Sequence, residues 1–209
     1  MKLIIFGATG MVGTELVKQA LYGGHAVKAF GRNVFTEALP KDDQLELVQG
    51  ALFDEGQVLR AIKGCDAVLS SLGGAFDGTD KTRSLGMKNI VLQMKQANVK
   101  RIIAIGGLGL LDTEEGKLLM EEEDFPAEHH AVSQEHLKAF EFLKNSGLDW
   151  TFVCPPNIIA GEPTGIFTTR ADHPPIDNKY RINSGDLALF MLKELSQREY
   201  VQHRVGISN

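Results

Sequence analysis

The chain has 209 residues, 43% of them hydrophobic, which suits one globular domain with a sizeable core. Its formal net charge of -5 lacks the basic surplus that drives phosphate-backbone binding, so nucleic acid is excluded as a main partner. Two cysteines without a CxxC or a metal-ligand spacing read as reduced core thiols, no metal is expected, and neither a signal peptide nor a long apolar run is visible, so no membrane partner is expected and the address is cytoplasmic.

Apolar runs rich in β-branched residues recur at 3–6, 26–30, 45–49, 67–71, 102–105 and 151–154 and predict buried strands. Helical patterns lie between them. Val12, Leu16, Val17, Ala20 and Leu21 share one face of the first, and Leu137, Phe140 and Leu143 line a later one that stops at Gly147. A last helix is predicted to start with Ser184 as N-cap and to bury Leu187, Phe190, Met191 and Leu195. This alternation predicts an α/β fold, a doubly wound parallel sheet with helices on both faces, as one domain over 1–209. Two stretches break the alternation, at 108–131 and 161–181. Both follow strands, so both are expected above the carboxyl edge of the sheet as walls of a ligand pocket. The acidic run Glu121-Glu122-Glu123-Asp124 inside the first reads as a solvated face.

The first strand runs into Gly7-Ala8-Thr9-Gly10-Met11-Val12-Gly13, three glycines on a strand-to-helix turn. Without side chains the backbone turns tightly and approaches a pyrophosphate, while the amides of the following helix point at the anion. A merely structural turn is the alternative. The flanking strand and amphipathic helix favour a dinucleotide-binding Rossmann unit. After the second strand, where an NAD site presents a carboxylate to the ribose, the chain has Gly31-Arg32-Asn33. Arg32 can fork onto a 2′-phosphate, which points to NADP(H) in preference to NAD(H); an ordinary exposed loop arginine is the other reading. The fourth strand ends in Leu72-Gly73-Gly74, whose backbone can pass close to the cofactor ribose or form a simple loop.

The glycine turn, the 66–74 strand and above all the segment 146–158 followed by Gly161-Glu162-Pro163-Thr164-Gly165 resemble the atypical short-chain dehydrogenase/reductase superfamily. Within it the chain is most similar to the NAD(P)H-dependent flavin reductase, or biliverdin-IXβ reductase, family. The resemblance spans Lys2 to about Leu195, and the Pro155-Pro156 turn is its more specific part. It implies that Gly7, Thr9, Gly10, Met11 and Val12 wrap the pyrophosphate, that Arg32 receives the 2′-phosphate and that Leu52 lies by the adenine. It further implies that Leu72, Gly73 and Gly74 line the ribose and that Pro155, Asn157 and Ile158 back the nicotinamide; Gly107 and Asn157 are expected to border the acceptor.

Three departures stand out against that pattern. Ala51 stands where the family often has an aspartate, Gly106-Gly107 where many relatives carry Ser or Thr, and Asn157 where flavin reductases have histidine. The superfamily's Tyr-x-x-x-Lys pair aligns with Val132 and His136, and none of Tyr22, Tyr180 and Tyr200 falls on that helix. His136 either binds the nicotinamide ribose in place of the lysine or is a helix-surface histidine. His129 and His130 point apart on a helix and read as solvated. With no catalytic residue assignable, the expected activity is an NADPH-dependent oxidoreductase passing hydride to a small flavin-like acceptor. An NAD(P)-sensing regulator with a protein partner and a sugar-nucleotide epimerase or dehydratase relative are the alternatives; the latter lacks its tyrosine base.

Overall fold

The computed structural model describes residues 1–209. Ten strands and five α-helices form along the chain, with two single-turn 3-10 helices at Leu108–Leu110 and Leu119–Glu121: β1 (Lys2–Phe6), α1 (Met11–Tyr22), β2 (Ala26–Gly31), β3 (Leu45–Gln49), α2 (Glu55–Ile62), β4 (Ala67–Ser70), α3 (Thr82–Ala97), β5 (Arg101–Ile105), α4 (Ala127–Lys144), β6 (Asp149–Cys154), β7 (Asn157–Ile159), β8 (Thr168–Ala171), β9 (Arg181–Asn183), α5 (Ser184–Gln197) and β10 (His203–Ser208). Eight strands make one sheet in the order β3-β2-β1-β4-β5-β6-β10-β8, parallel except for the antiparallel edge strand β8. The order reverses between β1 and β4, the switch point where such sheets bind ligands at the carboxyl edge.

The pleat of β1 sorts the core into two layers. Ile4 and Phe6 face the layer shared with Val58, Ile90, Met94 and Leu143 of α2, α3 and α4, whereas Leu3 and Ile5 face Leu16, Val17, Leu187 and Met191 of α1 and α5. Burial on both faces is why the strands read as continuous apolar runs rather than alternating ones.

All six expected strands are present. The Gly161–Arg181 stretch is not simply a loop, because it contributes β8 and starts β9, which pairs with β7. The 108–131 stretch does not stand free over the edge either. It buries Leu110, Leu111 and Met120 in the core, and Arg204 donates to the Leu110 carbonyl and the Asp112 carboxylate. The cap of α5 is Asn183, whose side chain accepts from the Asp186 amide at 2.6 Å; Ser184 is the first helical residue.

Candidate functional site

Strand register puts the expected residues on one edge. Phe6 lies opposite Phe30 and Ser70, Ser70 opposite Ala104, and Ala104 opposite Phe152. Gly7, Gly31-Arg32, Ser71-Leu72, Gly106-Gly107 and Pro155 therefore leave the sheet side by side.

The glycine turn is fixed by contact. Gly7 has φ +78°, and a Cβ there would lie 2.5 Å from the Ser71 carbonyl oxygen, while the Ser71 hydroxyl donates to the Phe6 and Gly7 carbonyls at 3.2 Å. A Cβ on Gly13 would stand 2.0 Å from the Gly7 oxygen, so only glycine lets the helix start this close to the strand. Gly10 caps α1 with no side-chain partner, which leaves the first-turn amides of Met11, Val12 and Gly13 without intrahelical acceptors. Thr9, Gly10 and Met11 are exposed, and Val12 anchors the turn by burying its side chain. These are the features of an anion cradle.

Arg32 is exposed because Val34, two residues on, turns fully inward and holds the loop. Its carbonyl accepts from Gln49 Nε2 at 3.0 Å, and its guanidinium makes no ion pair. Leu52 and Leu72 converge on Gly86 of α3, where a Cβ would lie 2.5 Å from Leu52 and 3.1 Å from Leu72. Asn89 of α3 holds the Leu52 carbonyl at 2.8 Å.

Beyond β4, the loop carrying Gly73 and Gly74 is clamped by a residue the sequence reading missed. Arg83 of α3 is 6% exposed and donates to the Ala75 and Gly74 carbonyls at 2.9 and 3.0 Å. Its neighbour Ser84 donates to Glu135 of α4, a buried carboxylate that also receives Lys81 at 3.1 Å and Lys138 at 2.9 Å. Burial alone would raise this carboxyl, but the hydrogen bonds from Ser84, Lys138 and Lys81 outweigh it and hold it at about 2.

His136 follows on α4, and it is not a surface histidine. It is 8% exposed, its Nδ1 is buried without a partner, and its Cδ2 and Nε2 lie 3.1 and 3.5 Å from where a Cβ on Gly107 would be. Burial, reinforced by the charge of Arg83, pushes the ring down to about 3, so it is neutral at physiological pH. Val132, one turn earlier, is buried and carries no hydroxyl.

The two glycines after β5 serve different ends. A Cβ on Gly106 would collide with the Phe152 ring at 2.4 Å, so Gly106 makes room for a core phenylalanine and not for a ligand. Gly107 alone is left facing His136. Pro155 is buried and its carbonyl accepts from the Leu108 amide at 3.1 Å, while Asn157 is exposed, Ile158 is half-buried, and the Asn157 amide donates to the Tyr180 carbonyl at 3.3 Å. Asp186 pins the Thr164-Gly165 turn nearby, accepting from the Thr164 amide and hydroxyl and the Gly165 amide at 2.7 to 2.8 Å. His129 and His130 stand exposed in the first turn of α4, beside the Phe125 ring. Cys65 and Cys154 are free and buried, and burial pushes the Cys154 thiol up to about 12.

The comparisons agree with this geometry. Residues 7–198 match the model of a family described as NAD(P)H-binding. The chain is 28% identical to an uncharacterized protein of Bacillus subtilis over 99% of this chain and 98% of that one. Among solved structures it is similar to a suspected exported protein of Burkholderia pseudomallei, at 30% identity, TM-score 0.87 and full coverage of both chains. It is also similar to a suspected NADH-flavin reductase of Streptococcus pneumoniae, at 25% identity and TM-score 0.85 over 100% of this chain and 99% of that one. No helix is long and apolar enough to cross a membrane. With the glycine cradle, the β1/β4 switch point and a family match over most of its length, the chain belongs to the NAD(P)H-binding family of Rossmann proteins.

Proposed function

We propose that this protein is a cytoplasmic NADPH-dependent reductase that passes hydride to a flavin-like conjugated acceptor. The observation that carries the reading is the lack of a proton-donating acid beside Gly107: Val132 has no hydroxyl and His136 is a buried neutral imidazole. Reducing a ketone needs a proton delivered to the developing alkoxide, and a flavin does not, because its ring system delocalises the charge and takes its proton from solvent.

A bound nicotinamide would supply the hydride. The chain's own residues would do the positioning. The amides of Met11, Val12 and Gly13 hold the pyrophosphate, and Arg32 pairs with the 2′-phosphate, which is what favours NADP(H) over NAD(H). Leu52 supports the adenine, Leu72, Gly73 and Gly74 line the ribose under the Arg83 clamp, and Pro155, Asn157 and Ile158 back the ring. Gly107 and Asn157 would border the acceptor beside the nicotinamide. The likeness to a suspected NADH-flavin reductase supports the choice of acceptor.

The test compares anaerobic NADPH oxidation with riboflavin, FMN, a quinone and a simple ketone. Turnover with the flavins and none with the ketone is expected. Tight NADPH binding without turnover of any acceptor would instead indicate a cofactor sensor.

A further inference from the structure

Two buried side-chain nitrogens near the site have no partner, Nδ1 of His136 and Nε of Arg83, and they belong to residues on the packed helices α4 and α3. A neutral imidazole must carry its proton on one nitrogen, and the surroundings of the two differ. A proton on Nδ1 would be a buried donor with no acceptor, a costly arrangement. The carboxylates of the neighbourhood cannot take it: Glu135 is occupied by Ser84, Lys81 and Lys138, and Asp80 accepts from the Ala75 and Thr82 amides. Arg83 adds a positive charge that no direct ion pair neutralises, since its terminal nitrogens go to the carbonyls of Gly74 and Ala75. That charge disfavours a cationic ring and helps keep His136 neutral, while the partnerless Nδ1 leaves Nε2 as the site of the proton. Nε2 lies on the ring edge against Gly107, where a ligand oxygen can accept.

We propose that Arg83 is a positioning residue that fixes His136 as the neutral Nε2–H tautomer, so that the ring presents a hydrogen-bond donor at Gly107 to an oxygen of the bound ligand. The ligand part rests on the reading of this edge as the nicotinamide and acceptor site; the tautomer part stands without it. On this account His136 neither replaces the lysine's charge nor acts as a base. It orients a hydroxyl or carbonyl oxygen through a neutral N–H.

The experiment is long-range proton–nitrogen correlation NMR on the full chain labelled with nitrogen-15 histidine, the His136 signals being assigned by their loss in His136→Gln. In the native protein they should show protonated Nε2 and bare Nδ1, unchanged from pH 5 to 8. In Arg83→Met the two nitrogen shifts should move toward each other or begin to titrate, and Arg83→Lys, which keeps the charge, should restore the native pattern. A protonated Nδ1 in the native protein would overturn the proposal, even if Arg83→Met fails to fold, and so would an unchanged pattern in Arg83→Met. Adding NADP+ and then FMN should shift the Nε2 proton. No shift on binding detected by calorimetry would overturn the donor role, whereas no binding at all would overturn the functional reading and leave the tautomer result standing.

Discussion

Gly106 and Phe152 share one space: a Cβ on the glycine would lie 2.4 Å from the phenylalanine ring, which is itself fully buried and stacked on Phe140. Gly106→Ala should therefore destabilise the fold by about 1–3 kcal/mol, as overpacked cores do. Phe152→Leu should recover part of that loss in the double variant, a coupling that chemical denaturation of the four proteins would measure. Additive losses would show that Gly106 is constrained by something other than Phe152.

The glycine turn separates structural from binding demands. Gly7→Ala meets both a positive φ and the Ser71 carbonyl, so it should cost stability and cofactor binding together. Gly10→Ala meets only the Gly7 oxygen, at 3.4 Å, and should fold with little change in Tm while weakening NADPH binding, because its methyl group intrudes on the anion cradle. Thermal melts and calorimetry on both variants check the split.

Arg32 is exposed and pairs with no carboxylate in the protein, so its loss should leave stability unchanged. Arg32→Ala should weaken NADPH by about 1.5–3 kcal/mol, roughly 10- to 150-fold, and leave NADH nearly unaffected. Equal NADPH affinity in the two proteins, read by calorimetric titration, would contradict the assignment of the 2′-phosphate to this residue.

Acid stability should carry two signatures. Between the ordinary imidazole value of 6.5 and about 3, the unfolded chain protonates His136 while the folded ring stays neutral, so stability falls as pH drops through that window. Glu135, held at about 2 against an ordinary 4.5, stabilises the fold above 4.5 and loses that contribution as pH falls towards about 2. Each group adds a slope of at most about 1.4 kcal/mol per pH unit. Denaturation of His136→Gln should show the slope between 6.5 and 4.5 flattened, with the lower one retained.

Much of this was legible in the sequence because the physics is local. The five strands β1, β2, β4, β5 and β6 are buried on both faces and so advertise themselves as apolar runs, β3 at the sheet's edge shows only Leu45, Leu47 and Val48, and the glycine turn lies wholly within residues 7–13. The sheet's far edge was not legible. β8 is polar at three of its four positions, Thr168, Thr169 and Arg170, and β10 offers only Val205 and Ile207 around Gly206. α3 hides its inner face for a different reason: Arg83, Ser84, Asn89 and Gln93 are among its buried residues, so the apolar stripe is broken. The site suffers from the same blind spot. Arg83, Glu135 and the buried state of His136 arise from the packing of α3 on α4, which no spacing within one segment reveals.

The central claim, hydride transfer to a flavin-like acceptor without an essential protein acid, is tested most directly by anaerobic stopped-flow mixing of enzyme-bound NADPH with FMN from pH 5 to 8, in the native protein and in His136→Gln. The account predicts a rate that is flat across this range, is slowed when the transferred hydrogen is deuterium, and falls only moderately, by roughly 10- to 100-fold, in the variant. A rate that follows the titration of a protein group, or a loss of more than about a thousandfold in His136→Gln with binding intact, would contradict it.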